Sequence, residues 1–530
     1  MKIPVYAYRF ASLTGPNESK PRRYAIFVKG VPQLLIATGR SKNPGMWRTV
    51  KILPGLLFAC LQLIAPLNLF SQTSGSAPTP SISLPGSQSP FLGSEPSGKA
   101  TAEVLPIDFK DAIDRGLRYN LGLLLAGDQT LTARGERWKA LSDLLPNIQA
   151  QLLENVQTES LAALGFGKIF KPGSFPLAVP AVIGPYNYFD ARASVGQSLF
   201  NFRNIEKERA ASESLKAAHY TYKDARELVV LAVGNAYLQA IATASRIETA
   251  EAQVTNAQAL SDKAADQLNA GLTPAIDALR ARVELQTRQQ QLIAARNDYD
   301  KQKLTFARVI GLPPGQEFVL TEKAPYQTLT TQPLDVYLQR AYASRSDYEA
   351  AQAQVRSAEL TRTAATAGHF PSLDVNANYG DIGVTPAHSN GTWQVAGSLT
   401  IPIFAGGKIH SDVLEAEAQL KQARSQLGDL RGRIDYEVRA AVLDLNSAAQ
   451  QVEVARSSVD LAEQALTQSQ DRFTSGVTDN LEVVQAQESV ASAHESYIES
   501  LYAHNLAKVE LARAIGDAED GVRRFLKGNQ

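Results

Sequence analysis

The chain carries a second copy of part of itself. Asp266-Gln-Leu-Asn-Ala-Gly271-Leu-Thr273-Pro-Ala-Ile-Asp277 recurs as Asp471-Arg-Phe-Thr-Ser-Gly476-Val-Thr478-Asp-Asn-Leu-Glu482. Leu304-Thr-Phe-Ala-Arg308-Val-Ile310-Gly311 recurs as Val509-Glu-Leu-Ala-Arg513-Ala-Ile515-Gly516. Both pairs keep one register, from 266 to 471 and from 304 to 509. A register held over this span marks two copies of one structural unit. The 530-residue length therefore reads as two interlocking halves of about 200 residues rather than as several unrelated domains.

Composition removes several function classes. Lys plus Arg and Asp plus Glu each number 53, so the formal net charge is zero, and nucleic acid has no electrostatic footing as a partner. Cys60 is the only cysteine, which excludes an internal disulfide and a cysteine metal cluster. The six histidines (His219, His369, His388, His410, His494, His504) form no His-x-x-x-His pair; each is expected to be an ordinary solvated or capping residue, and no metal or other cofactor is expected. No phosphate loop, nucleophile motif or assembled set of catalytic roles is present, so the chain is not read as an enzyme.

The N-terminal region reads as an address. Met46-Trp-Arg48-Thr-Val-Lys51 precedes an apolar run from Ile52 to Phe70, and small polar residues follow. This is the order of a secretory signal, placed at 46–77. Met1 and Met46 are the only methionines, so residues 1–45 are read as an upstream over-extension. Two other readings of the region are a membrane anchor, which Pro54 and Pro66 oppose, and a lipoprotein signal at Leu57-Phe-Ala59-Cys60, with Cys60 as the acylated residue. Residues 78–103 are rich in Pro, Ser and Gly and are expected to be a disordered linker.

The repeats are placed at 104–325 and 326–518, with a tail at 519–530. Asp108 and Asp335 are expected to cap a short helix at the start of each. Long helices are expected at 203–269 and 274–310 in the first repeat, and at 407–474 and 479–515 in the second. The longest would reach about 100 Å at 1.5 Å per residue. Val230, Val233, Tyr237, Ala240, Ala244, Ile247 and Val254 alternate by three and four, as do Val438, Val442, Leu445, Ala449, Val452 and Val459. That spacing gives a narrow coiled-coil seam. Gly271 and Gly476 suit the left-handed turn that closes a helix, with Thr273 and Thr478 as caps of the next one. Each repeat is then a long helical hairpin with a tight tip.

Four segments alternate with period two: about 147–157, 187–200, 372–380 and 392–403. Leu373, Val375, Ala377 and Tyr379 interleave with Asp374, Asn376 and Asn378, the pattern of a strand with one apolar and one polar face. Aromatic residues cluster at the strand ends (Tyr186, Tyr188, Phe200, Phe202, Phe370, Tyr379, Trp393, Phe404), as in the girdles of a membrane barrel. Strands of about ten residues cross a bilayer when tilted, and lipid does not tolerate an open sheet edge. Four strands cannot close alone, because the smallest membrane barrels have about eight. Other copies must supply the rest: two copies would give eight strands, and three would give twelve with a wet lumen.

These features resemble the TolC-like outer membrane efflux protein (outer membrane factor) family. The resemblance spans about 104–518. It rests on the Ala270-Gly271-Leu-Thr and Ser475-Gly476-Val-Thr tips, the Pro402-Ile-Phe404-Ala-Gly406-Gly407 junction and the paired Arg-x-x-Gly endings. It implies a mainly α fold with a small β part: α-helical hairpins in the periplasm, and four transmembrane strands per protomer in a shared twelve-stranded barrel of a homotrimer. It implies an outer-membrane exit duct for tripartite efflux or type I secretion, partnered by a periplasmic adaptor and an inner-membrane transporter. Gly271, Leu272, Thr273, Gly476, Val477 and Thr478 would meet the adaptor. Asp277 would stand at the periplasmic aperture, with Glu482 and Gln485 at the corresponding place in the second copy, where Gln485 departs from an acidic family position. Asp277 and Glu482 also read as first-turn acids favoured by the helix dipole. A soluble periplasmic coiled-coil scaffold or adaptor is the competing reading; it explains the helices but not the alternating segments.

Overall fold

A computed structural model describes residues 89–527, apart from 162, 164–180, 323–325, 328, 330, 331 and 479. The address segment and Cys60 lie outside the described residues. In chain order the elements are β1 (Leu105–Ile107), α1 (Phe109–Tyr119), α2 (Leu121–Ser142), β2 (Asn147–Ser160), β3 (Val182–Phe200), α3 (Phe202–Asn269) and α4 (Ala275–Val309). There follow β4 (Phe318–Leu320), α5 (Leu334–Ser344), α6 (Ser346–Thr366), β5 (Ser372–Thr385), β6 (His388–Thr400), α7 (Lys408–Thr474), α8 (Asn480–Ala514) and α9 (Ala518–Lys527). The duplication covers more than the sequence alone displays. Helices of 11, 22, 68 and 35 residues in the first half return as 11, 21, 67 and 35 in the second.

Local chemistry sets the helix boundaries. Asp108 caps α1 by accepting from the Asp111 amide at 2.6 Å. Asp335 does not cap α5: Pro333 is the N-cap and Asp335 lies in the first turn, where a carboxylate still meets the positive helix end. In α7 the buried positions Ile434, Val438, Ala441, Leu445, Ala448, Val452 and Ala455 step strictly by four and three, a knobs-into-holes seam. α3 packs against α4 and α8, and α7 against α8. A stretch of α3 is long and apolar enough to cross a membrane, but 67% of it is buried inside the protein, so it is a core helix.

The end of each hairpin remote from the tip, its root, holds most of the apolar core. At the first root Phe109, Tyr237, Phe306 and Phe318 form a chain of rings with centroids 5.3, 5.7 and 5.6 Å apart. Part of the expected linker belongs to this root. Phe91 and Leu92 pack on the core, Thr101 N donates to Gln316 Oε1 at 2.8 Å, and β1 pairs in parallel with β4. Phe91 and Leu92 anchor the stretch to the core, while residues 95–100 stay exposed. His504 also departs from expectation. It is fully buried, with the Tyr326 ring 5.6 Å away, and burial pushes its pKa down to about 4.

β2, β3, β5 and β6 form one antiparallel sheet in that order, so β3–β5 pairing joins the repeats. The register sorts the faces. Ile148, Val195, Ala377 and Val395 lie side by side, as do Ala150, Ala193, Tyr379 and Trp393. On the opposite face Gln149, Ser194, Asn378 and Gln394 make a matching row. Trp393 is 75% exposed. Tyr186 and Tyr188 do not join this apolar band. They pair with Gln157 and Asn155, and the Tyr186 hydroxyl accepts from Gln157 at 2.7 Å. All four strands run past their expected outer ends, to Ser160 in β2, from Val182 in β3, to Thr385 in β5 and from His388 in β6. β6 stops at Thr400, before Pro402, which has no amide to donate to a ladder. Among the described residues the outer edges of β2 and β6 have no strand partner.

Candidate functional site: the hairpin tips

Each tip closes by the same backbone device. Gly271 N donates to Leu268 O at 3.0 Å and Leu272 N to Gln267 O at 2.9 Å. Gly476 N donates to Phe473 O at 3.1 Å and Val477 N to Arg472 O at 3.0 Å. These are paired 5→2 and 6→1 bonds of a helix ending in a left-handed residue. Gly271 and Gly476 have φ of +69° and +71°, so glycine is required by backbone conformation rather than by space. The turns place Leu272 and Val477 in solvent, 75% and 69% exposed.

Among the described residues neither threonine makes the expected cap bond. Pro274 is the N-cap of α4, with extended backbone and no side-chain bond, and Thr273 Oγ1 is buried without a hydrogen-bond partner. Thr478 Oγ1 instead donates to Glu482 Oε2 at 2.5 Å.

The three aperture candidates part company. Asp277 lies in the first turn of α4 and is only 7% exposed. Its carboxylate lies 3.4 Å from Arg280 Nη1. Its backbone carbonyl accepts from the fully buried Asn480 Nδ2 at 3.0 Å. Glu482, in the first turn of α8, is held by Thr478 and by Arg472 Nε at 3.3 Å. Gln485 is exposed. Asp277 and Asn480 are therefore brought together in the seam between the hairpins, and Gln485 stays apart. Leu260, Ala264, Ala281, Leu466, Phe473 and Val483 fill that seam, and Lys263 Nζ donates across it to Thr474 Oγ1 at 2.5 Å.

Asn480 was not singled out from sequence, although a signal exists. In the 205-residue register it replaces Ala275, and a polar residue that breaks the repeat beside a tip marks a contact between copies. No cluster able to hold a metal occurs among the described residues. At the tips the two hairpins meet through a small apolar patch and a few single hydrogen bonds.

Comparison with known proteins bears on what these tips serve. The family described as "Outer membrane efflux protein" matches residues 140–312 and 337–517. Outer membrane protein TolC of Escherichia coli is 22% identical over 357 residues, covering 62% of this chain and 70% of that protein. The pyoverdine export outer membrane protein OpmQ of Pseudomonas aeruginosa is 24% identical over 324 residues, covering 60% and 67%. Among solved structures, VceC of Vibrio cholerae superposes with a TM-score of 0.65 at 20% identity, covering 77% of this chain and 96% of that one. The Campylobacter jejuni CmeC outer membrane channel gives 0.65 at 16% identity, covering 83% and 94%.

Proposed function

Because the chain belongs to the outer membrane efflux protein family, we propose that three copies assemble into a passive exit duct whose periplasmic mouth is closed by the hairpin tips. Its place is the outer membrane, with the helices in the periplasm. The family consists of efflux channels rather than enzymes. The observation that carries the assembly is the sheet: one apolar face, one polar face and two unpaired edges. In lipid each unpaired backbone group costs several kcal/mol, so β2 of one copy must pair with β6 of the next. Three copies give twelve strands around the polar row of Gln149, Ser194, Asn378 and Gln394, a wet lumen.

The helices support the same closure. Ile276, Leu279, Val283 and Ile293 on α4, and Tyr436, Leu443, Val454 and Leu461 on α7, are exposed apolar residues along the long hairpins. A second copy would cover them where it completes the barrel.

At the mouth, threefold symmetry would bring three Asp277 and three Glu482 carboxylates together, and Gln485 would leave its own position neutral. Opening would part the seam held by Asn480 and Asp277, a switch between two packed arrangements. Gly271, Leu272, Thr273, Gly476, Val477 and Thr478 would face a periplasmic adaptor, with the exposed Leu272 and Val477 as its apolar contacts. An inner-membrane transporter would supply the energy. The energy source separates this duct from an enzyme: no bond is made or broken in the chain itself.

Planar-bilayer recording tests the reading. The wild-type protein should give discrete conductance steps with preference for cations. Asp277→Ala should weaken that preference, because crowded carboxylates concentrate cations at a narrow mouth. Unchanged selectivity would remove Asp277 from the aperture, and a complete absence of conductance would remove the duct.

A further inference from the structure

The four strands of the sheet carry one fixed cation. β2, β3, β5 and β6 hold no lysine and a single arginine, Arg192 on β3. The register puts Arg192 in a row with Gln151, Gly380 and Thr392. That row lies on the polar face, one residue nearer the outer strand ends than Tyr379 and Trp393. The guanidinium is taken up by its own strand. Arg192 Nε donates to Asp190 Oδ1 at 2.6 Å and Nη2 donates to Asp190 Oδ2, a two-pronged geometry that fixes both groups. The Tyr188 hydroxyl donates to the same Oδ2 at 3.4 Å.

The surroundings keep the pair together. Asp190 is flanked across its row by Leu153 on β2 and Ile382 on β5, and neither side chain offers a competing hydrogen bond. Opposite Arg192, a Cβ on Gly380 would fall 2.4 Å from the Arg192 Cα, so β5 presents no side chain there to draw the guanidinium away. The Asp190 side chain is 14% exposed and that of Arg192 30%. Partial enclosure between apolar neighbours makes an ion pair firmer than one on an open surface.

In a barrel closed by three copies the polar face lines the lumen, and symmetry sets three such pairs around its outer mouth. We propose that they form a charge-cancelling collar: Asp190 holds and neutralises the sheet's one fixed cation, so that the exit of the pore carries no anion-attracting ring. The other charges of that face, Asp374 and Glu159, stand six and eight residues from the row along their own strands. The collar rests on the shared-barrel reading, and its test separates the two.

The full-length protein carrying Thr392→Cys, a reporter in the Arg192 row, is placed in lipid nanodiscs and treated with an anionic and a cationic methanethiosulfonate. Labelling at position 392, read by peptide mass spectrometry, gives a ratio of the two rates that follows the local potential. Adding Asp190→Asn frees the guanidinium and should raise the anion-to-cation ratio about fourfold, the scale of one unit charge two strands, or about 10 Å, away in water. Adding Arg192→Gln frees the carboxylate and should lower the ratio by about as much. With both substitutions the ratio should return to that of the parent. Ratios unmoved by either single substitution overturn the proposal, as do shifts of the same sign, which a loosened strand would give. Planar-bilayer conductance of the same preparations separates the two ideas. Conducting channels with unmoved ratios reject the collar and leave the duct standing, whereas preparations that neither conduct nor hold more than one chain per particle reject the shared barrel and the collar with it.

Discussion

At the root of the first hairpin, the joint between α1 and α2 turns on Asn120, a neutral side chain. Its Oδ1 accepts from Gly122 N at 2.9 Å and its Nδ2 donates to Phe91 O at 2.7 Å. At the same joint of the second hairpin, between α5 and α6, stands Arg345, 2% exposed. It reaches Asp347 on α6 at 2.6 Å, Glu437 on α7 at 2.5 Å and Ala514 O at the end of α8 at 3.4 Å. The repeated arginines diverge in the same way. Arg308 is exposed, and its backbone carbonyl accepts from Ser94. Arg513 is enclosed between Asp224 and Glu227 of α3. Only the backbone requirement is common: Gly311 and Gly516 both take φ near +70°. A side chain on Gly516 would press on the backbone at Ser344 and Arg345, and one on Gly311 would press on Tyr119. Duplication kept the geometry of the joint, while one copy is fastened by packing and the other by buried ions.

The largest expected contrast comes from the joint residues. Arg345→Ala leaves Asp347 and Glu437 without their shared guanidinium and should cost about 3–5 kcal/mol. Asn120→Ala removes a cap and should cost about 1 kcal/mol. Thermal unfolding of the two variants against wild type measures both, and equal losses would erase the distinction between the roots.

A smaller contrast separates the repeated arginines. Arg513→Ala should destabilise by several kcal/mol, since it strands two mostly buried carboxylates, whereas Arg308→Ala should fall within about 0.5 kcal/mol. Chemical denaturation of each variant checks the pair.

The smallest contrast is in pH dependence. Burial pushes Glu227 up to about 7, against the pull of Arg513. A carboxyl whose folded pKa is raised contributes stability that is fully present below its unfolded value and is lost as pH rises through the folded value. The second root should therefore weaken between about pH 4.5 and 7, by up to roughly 3 kcal/mol. In Glu227→Gln that slope should flatten, which melting curves across the range would display. A slope identical to wild type would assign the pH dependence to other groups.

Much of this fold is legible in the sequence because its signals are long. Period-two alternation exposed all four strands, and the four-three spacing of α7 was legible at Val438, Leu445 and Val452, although the buried seam runs on through Ala441, Ala448 and Ala455 rather than the expected Val442, Ala449 and Val459. The failures are local contests. Thr273 looks like a cap, but Pro274 follows with fixed φ and extended ψ and takes the N-cap itself. Tyr186 and Tyr188 look like interfacial aromatics, yet the strand register puts them on the polar face. Asp277 was legible as a first-turn acid. Its enclosure was not, because that depends on Asn480, 203 residues away in sequence. The ionic root was hidden for the same reason: Arg345, Glu437, Asp224 and Arg513 meet only after both hairpins have packed.

The account depends most on sheet edges that a single chain leaves open. Native mass spectrometry of the detergent-extracted protein measures this most directly. Three chains per particle, held together until the fold itself is lost, is the predicted result. A monomer that stays in solution without detergent would contradict it.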